Sequence, residues 1–414
     1  MAMLVINLVV VDVALAQARP TDLSLAEALA RATLADPAAA AGDARRLAAE
    51  ANLRQAGVRP NPSLGVELEN FAGTGAYSLL DRTEATLSYQ QSFERGGKRE
   101  ARTARARAEI DIARFRQQVR RLDLLKQVQD AYVEAVAAEA ELLIADARLV
   151  AAHRSQADID RRVKSARDPL FAGSRAETTT AQAEIERDQR REAARNARAS
   201  LARFWSGSPD FTFNLERFFQ AVPPTAVGEA TTADLDLLQA ERDVAVANVR
   251  IEQARAVTDP ILRAGVRYFG EGTNVAMVVG GTIPLRLYDT NQGAVQRAQA
   301  ERTASEVDIV AARVAREREI ARLTARLSVS ATESERIRLE VIPPAMRTVE
   351  QVRDGFNRGG FQYLDVTEAE RALADARARR VAVLRQHHLD QAALDRLTGA
   401  HAGPSPSTPT TERR

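Results

Sequence analysis

Imidazoles do much of the chemistry of proteins near neutral pH, and this sequence has four: His153, His387, His388 and His401. His387 and His388 are adjacent, so on a helix they project to different sides, and Asp390 stands only three positions from His387. A metal site on helices needs ligands at i, i+4 or a second converging cluster. Neither accompanies these residues, so no metal site is predicted. The sequence contains no cysteine, which removes disulfides, thiolate ligands, a cysteine nucleophile and lipid attachment through an N-terminal Cys. Ser and His fall into no hydrolase arrangement, and G-x-S-x-G, H-E-x-x-H, the P-loop and G-x-G-x-x-G are all absent. Gly96-Gly97-Lys98 superficially resembles a phosphate loop, but it lacks the preceding glycine and a following Ser or Thr. The glycine pair reads instead as a release of the chain from strand to helix. Neither catalysis nor a cofactor is predicted.

A second set of charged residues is informative through its alternation. Leu64, Val66 and Leu68 alternate with Gly65, Glu67 and Glu69, and Leu262, Ala264, Val266 and Tyr268 alternate with Arg263, Gly265 and Arg267. Period-two patterning with one apolar face is the signature of a strand. Each run is followed, after a Gly-rich turn, by another. The first partner alternates Ala85, Leu87, Tyr89 and Phe93 with Glu84, Thr86, Ser88 and Ser92; the second carries Val275, Met277 and Val279. The block Asn61-Pro62 to Asn70-Phe71 lines up with Asp259-Pro260 to Tyr268-Phe269 at constant offset, so the chain repeats itself.

The elements that hold these hairpins are helical. With 414 residues, 5% aromatic and 28% charged, the sequence is rich in helix formers and poor in bulky core residues, which suits long, narrow helical packing. The net charge of +2 comes from Arg interleaved with almost as many Asp and Glu, the pattern of solvated helix faces, and no nucleic-acid partner is expected. Phe115, Val119, Leu122, Leu125, Val128, Tyr132 and Val136 step by threes and fours, close to the 3.5 repeat of a coiled coil. A helix from Lys98 to Lys164 would span on the order of 100 Å. Turn signals at Asp168-Pro169 and Gly359-Gly360 send the chain back, and Pro343-Pro344 must kink or break the second long helix.

The resulting map has a signal peptide over 1–16, with Ala14-Leu15-Ala16 as its cleavage site. A first repeat follows over 17–207: a helix, a β-hairpin at 63–93 and a helical hairpin at 98–205. A connector over 208–232, with Phe211, Phe213, Phe218 and Phe219, leads to a second repeat over 233–399. That repeat has a helix, a β-hairpin at 261–285 and a helical hairpin at 291–397. A disordered tail covers 400–414. The fold class is mainly α with a small β part.

No apolar run reaches the ~18 residues a spanning helix needs, so any membrane crossing must use strands. Four strands cannot close a barrel, for which ~8 is the practical minimum. Three chains would pool twelve, with Glu67, Glu69, Arg263 and Arg267 toward a wet lumen and Leu64, Val66 and Leu262 toward lipid. Aromatic residues Phe71, Tyr77, Tyr89, Tyr268, Phe269 and Tyr288 would suit interfacial girdles or core packing equally. A soluble sandwich hairpin packed on a helix is the alternative, as is an exported coiled-coil scaffold.

At this point the residues carry a family resemblance. The run Phe93-Glu94-Arg95-Gly96-Gly97-Lys98-Arg99 resembles the strand-to-helix junctions of the TolC-type outer membrane factors. So does Ile283-Pro284-Leu285-Arg286-Leu287-Tyr288-Asp289-Thr290-Asn291-Gln292-Gly293. Asn61-Pro62, and Gly359-Gly360-Phe361 followed by Leu364-Asp365-Val366, extend the likeness from about Leu25 to Gly399. The Gly-Gly-Lys-Arg junction and the Asn-Pro segment are most similar to the cobalt-zinc-cadmium (CzcC-like) branch. The resemblance implies a homotrimer with one outer-membrane barrel and a periplasmic helical tunnel, docked on a periplasmic adaptor protein and an inner-membrane RND pump. Junction residues would be Gly96, Gly97, Lys98, Pro284, Asn291 and Gly293. It implies a duct exporting divalent metal cations, with a multidrug or type I secretion duct as the alternative. It further implies a periplasmic gate at Asp365 and Glu368, beyond the tip turn Gly359-Gly360, where three chains would gather about six carboxylates. Glu368 departs from the second Asp common in the family, and Phe361 stands where a basic residue can occur, so Arg358 or Arg371 would supply the clamp. A solvated acidic patch beside a helix N-terminus is the plainer reading of the same two residues.

Overall fold

A computed structural model of the chain describes residues 22–77, 80–223 and 233–401. The expected signal peptide, positions 224–232 of the connector and 402–414 of the tail lie outside the described residues.

In chain order the elements are α1 (Leu25–Ala35), α2 (Pro37–Ala56), β1 (Ser63–Glu69), β2 (Glu84–Ser92), α3 (Lys98–Lys164), α4 (Leu170–Ala202), α5 (Leu215–Phe218), α6 (Ala233–Arg255), β3 (Ile261–Phe269), β4 (Asn274–Thr282), α7 (Gln292–Arg336), α8 (Ile342–Asn357) and α9 (Tyr363–Thr398). The 67 residues of α3 have Glu100 in the first turn and Arg161, Arg162 and Lys164 in the last, each charge opposing the helix dipole. Its end is marked by Ala166 at φ 55° and by the Arg167 N–H donating to the Arg162 carbonyl at 2.8 Å. Beyond α7 a π-helical turn occupies Ile337–Val341, and Pro343 and Pro344 sit in the first turn of α8. The expected break is therefore just ahead of the prolines, where a missing N–H leaves no hydrogen bond unmade.

The chain divides into two compact units. One gathers the described parts of 1–36 and 125–225 with Leu323–Ala393; the other gathers Pro37–Leu124 with the described parts of 226–322 and 394–414. In the first unit, Val136, Ala137 and Ala140 of α3 pack with Phe218 and with Val381 and Leu384 of α9. Phe213 meets Tyr132 edge-on at 5.3 Å, so the described part of the connector contributes to this core. A second cluster joins Ile159, Ala172, Ala176, Phe356, Tyr363 and Val366 at the helical turns. Small buried residues dominate elsewhere, such as Ala101, Ala106, Ala240, Ala247 and Ala298 in the second unit. Closely spaced helices require such short side chains.

The second unit also carries one antiparallel sheet in the order β1-β2-β3-β4. Its register opposes Val66 to Leu87, Leu87 to Val266 and Val266 to Met277, so like faces meet across all four strands. Among the described residues no helix is long and apolar enough to cross a membrane.

Candidate functional site

The sheet is inverted relative to a globular one. Leu64, Val66, Leu68, Leu87, Leu262, Val266, Met277 and Val279 share one face and are all exposed, Met277 at 81%. On the other face Thr86 and Ser88 are buried beneath charged side chains. Arg263 reaches Glu67 at 2.8 Å, and Arg267 reaches Glu69 at 2.8 Å and Glu84 at 2.9 Å. Arg267 also donates to the Thr86 hydroxyl at 2.9 Å. The four polar residues singled out in the sequence are thus together on one face, joined by Glu84 of the polar alternation of β2, whose ion pair with Arg267 was not foreseen. A Cβ at Gly265 would come within 2.4 Å of the Leu87 carbonyl, so only glycine permits this close approach of β2 and β3. An apolar surface this broad costs roughly 25 cal/mol per Å² in water and marks a face made to be covered.

At the ends of β2 and β3 the chain is clasped to itself. Lys98 lies 2.6 Å from the Asp259 carboxylate, which also accepts the Arg95 backbone N–H at 2.9 Å. Burial raises the Asp259 pKa, but the ammonium and the N–H outweigh it and hold the carboxyl below its ordinary value. Gly96 and Gly97 make the turn at φ 71° and 73°. A Cβ on Gly96 would strike the Val257 side chain at 2.6 Å. Arg102 pairs with Glu94 and donates to the carbonyls of Ala56 and Val58. At the second junction Asn291 is left-handed (φ 63°), and its amide donates to the Glu252 carbonyl and carboxylate at 2.8 and 3.0 Å. Pro284 is exposed between β4 and α7, and Gly293 lies in the first turn of α7. The sequence signal for Asp259 was the aligned repeat itself, where the equivalent residue is the uncharged Asn61.

The turn between α8 and α9 places Gly359 at φ 87°, and the Gly360 N–H donates to the Gly355 carbonyl at 2.8 Å. Asp365 accepts the Gln362 backbone N–H at 2.8 Å. It stands three residues past the N-cap of α9 and performs the reciprocal half of a capping box. Glu368, one turn on, is exposed and has no hydrogen bond or ion pair among the described residues. Arg358 pairs with Asp354 at 2.7 Å and Arg371 with Asp375 at 3.7 Å, each along its own helix. The residue that ties the two helical turns together is Arg162, which sequence reading passed over. Its guanidinium grips Asp168 at 2.6 and 3.3 Å, donates to the Phe356 carbonyl at 2.7 Å and lies 4.4 Å from the centre of the Phe356 ring. Arg353 adds a contact to Glu370 at 2.6 Å.

The histidines serve packing. His387 meets the Ser330 hydroxyl at 2.9 Å, and His388 meets the Phe218 carbonyl at 2.9 Å. Burial, then the neighbouring His388, hold the His387 pKa down to about 4. Among the described residues no three His, Asp or Glu side chains gather as metal ligands.

A helical chain whose sheet turns its apolar face outward has the makings of a membrane conduit, and comparison places it in a family of that kind. The family described as outer membrane efflux protein matches residues 28–207 and 226–400, and the chain belongs to it. The protein is an outer membrane component of efflux. It is 27% identical over 357 residues to the cobalt-zinc-cadmium resistance protein CzcC of Cupriavidus metallidurans, covering 84% of each chain. With the nickel-cobalt-cadmium resistance protein NccC of Alcaligenes xylosoxydans it shares 28% over 77% of this chain and 72% of that one. The fold is that of the outer membrane protein VceC of Vibrio cholerae, with a TM-score of 0.73 at 20% identity over 91% and 96% of the two chains. It is also that of the channel CusC, at 0.74 and 16% over 92% and 93%.

Proposed function

We propose that three copies of this chain pool their four strands into a twelve-stranded barrel and their helices into a periplasmic tunnel. The assembly then serves as the exit duct of a tripartite system that exports divalent heavy-metal cations. The observation that carries this reading is the sheet: a broad exposed apolar face, a polar face carrying its own ion pairs, and two strand edges, β1 and β4, with no neighbouring strand among the described residues. Open edges invite pairing, and closure into a barrel removes them. Likeness to CzcC and NccC, named for cobalt, zinc, nickel and cadmium resistance, supports metal cations as the cargo. A duct of this kind takes its substrate from an adaptor protein and an inner-membrane RND pump, so it needs no ligand cage of its own. The two hairpins, each preceded by a helix and followed by a long one, act as repeats over 17–207 and 233–399.

Within this reading Glu67, Glu69, Arg263 and Arg267 line the barrel lumen. Gly96, Gly97, Lys98, Pro284, Asn291 and Gly293 carry the chain from barrel to tunnel. Asp365 and Glu368, after the Gly359-Gly360 turn, form the cation-binding gate, with Asp365 also capping α9. Carboxylates brought together by threefold symmetry would attract cations and repel one another. The test is direct. Purified in detergent, the protein runs as a heat-sensitive trimer and conducts ions in planar bilayers, and Glu368→Ala weakens block by divalent cations. A monomer without conductance refutes the channel; unchanged block in Glu368→Ala removes that residue from the gate. Deletion of the gene sensitises cells to cobalt, zinc or cadmium, and unaltered tolerance to all three refutes the cargo.

A further inference from the structure

The strands run into a cationic depression where β2 becomes α3. A cavity of about 640 Å³ lies there, with Arg59, Arg95, Lys98 and Arg99 on its wall. Lys98 is held by Asp259 and Glu94 by Arg102, while Glu100, also on the wall, forms no ion pair among the described residues. Arg59, Arg95 and Arg99 have no carboxylate partner among the described residues, and Arg59 and Arg95 are exposed. Counting the cavity wall with the partners Arg102 and Asp259, five cations face three carboxylates.

The position of this depression follows from the strand it terminates. Along the outward face of β2 and its continuation the residues are Leu87, Tyr89, Gln91, Phe93 and Arg95. Leu87, Tyr89 and Phe93 are exposed at 51%, 49% and 47%. The Tyr89 hydroxyl donates to Gln91, whose amide donates to the Pro60 carbonyl at 3.1 Å. From Leu87 through Tyr89, the Gln91 amide and Phe93 to the Arg95 guanidinium the face passes from apolar to cationic with aromatic and amide groups interleaved between, the mixture found where hydrocarbon gives way to water. The continuation of β4 is likewise exposed and apolar, with Ile283, Leu285 and Leu287 leading to Tyr288 at 97%. Because α3 starts here and is far too polar to enter hydrocarbon, this end of the strands meets water, and the outer-membrane reading above makes it the periplasmic end.

We propose that Arg59, Arg95 and Arg99 bind the headgroup phosphate of an anionic phospholipid in the periplasmic leaflet, fixing the depth of the barrel in the membrane. The inference rests on the outer-membrane reading above. Three unpaired guanidinium groups supply paired N–H donors of the geometry that phosphate accepts. They sit where an acyl chain lying on Leu87 and Tyr89 would bring its headgroup. Surface cations near an anionic bilayer act together, and the neighbouring exposed aromatic rings offer the glycerol region an amphipathic wall.

The experiment uses the full-length protein in uncharged detergent, titrated with phosphatidylglycerol or phosphatidylcholine, with bound lipid counted by native mass spectrometry. The wild type retains phosphatidylglycerol in preference to phosphatidylcholine. The variant R59Q/R95Q/R99Q loses that affinity by on the order of a hundredfold, while R59K/R95K/R99K, which keeps the charge but not the paired donors, falls between the two. Both variants are checked for the heat-sensitive trimer and for conductance, and Arg95→Gln alone serves if the triple glutamine variant does not fold. Equal retention of the two lipids, or equal phosphatidylglycerol affinity in wild type and glutamine variants, overturns the proposal. Displacement by millimolar inorganic phosphate overturns it too, because it would mark a simple anion site. Loss of conductance in the wild type with lipid preference intact would refute the duct and leave the headgroup site standing.

Discussion

Replacing Arg162 by alanine should loosen the paired helical turns of the first unit. The side chain makes two contacts to Asp168, one to the Phe356 carbonyl and one to the Phe356 ring, and it is only 20% exposed. A hydrogen bond to a charged group contributes roughly 1.5–3 kcal/mol when its partner is left behind, and an Arg–aromatic stack roughly 0.5–1. These contributions overlap on one guanidinium and are partly screened, so a total of about 3 kcal/mol is appropriate. That corresponds to about a 150-fold shift in the opening equilibrium of the turns. Hydrogen exchange reads such an opening segment by segment. The amides of 165–168 and 355–362 should therefore exchange on the order of a hundred times faster in Arg162→Ala, with the rest of the chain unchanged. Lysine at the same position can keep one contact to Asp168 but cannot also reach the Phe356 carbonyl in a fork, so Arg162→Lys should fall between the two. Exchange at both turns within about twofold of wild type in Arg162→Ala would refute the reasoning. It would show that the apolar cluster of Ile159, Phe356 and Tyr363 holds the turns unaided.

Two further outcomes follow from the electrostatics. His387 titrates at about 4 in the folded protein against an ordinary value of 6.5, so between these values the unfolded chain binds the extra proton. Stability is then complete above pH 6.5 and falls as the pH drops toward 4, by about 2 kcal/mol at pH 5. His387→Gln should flatten that part of a melting-temperature profile, and an identical slope in the variant would exclude His387 as its source. At the junction, Lys98→Met should lower the melting temperature through a loss of about 1 kcal/mol, a modest figure because the pair is partly solvated. Asp259→Asn added to Lys98→Met should recover part of the loss, since it removes the stranded charge. A double variant no better than the single would sink the pairing as the cause.

The sequence was legible wherever pattern period equals structural period. Alternation at Leu64–Glu69, Glu84–Phe93, Leu262–Tyr268 and Val275–Val279 placed all four strands, because side chains on a pleated strand switch faces at every residue whatever lies beside them. The steps of three and four from Phe115 to Val136 likewise gave a helix whose bounds, Lys98–Lys164, match the expected ones. Gly96-Gly97 and Gly359-Gly360 marked turns through the one residue type that accepts positive φ without strain. What alternation could not say was which face meets water.

Pairing between distant residues was beyond the sequence alone. Arg162 is one of many arginines on α3, and nothing in its neighbours distinguishes it from Arg161, which pairs locally with Asp158. Its role depends on the turn around Phe356, 194 positions away, being folded against it. Glu84, whose place on the polar face alternation already gave, found its partner in the same way: the register of β2 against β3 sets it beside Arg267. Asp365, legible as an acidic residue near a helix start, proved to be partly spent on capping that helix, a local bond whose geometry the side-chain identity permits but does not dictate. Periodicity is a property of the chain, and it fixed the strands, the helices and the apolar stripe, while folding left that stripe exposed. The ion pairs, the clasp at Asp259 and the latch at Arg162 belong to tertiary structure, because a charge has no direction until folding chooses its partner.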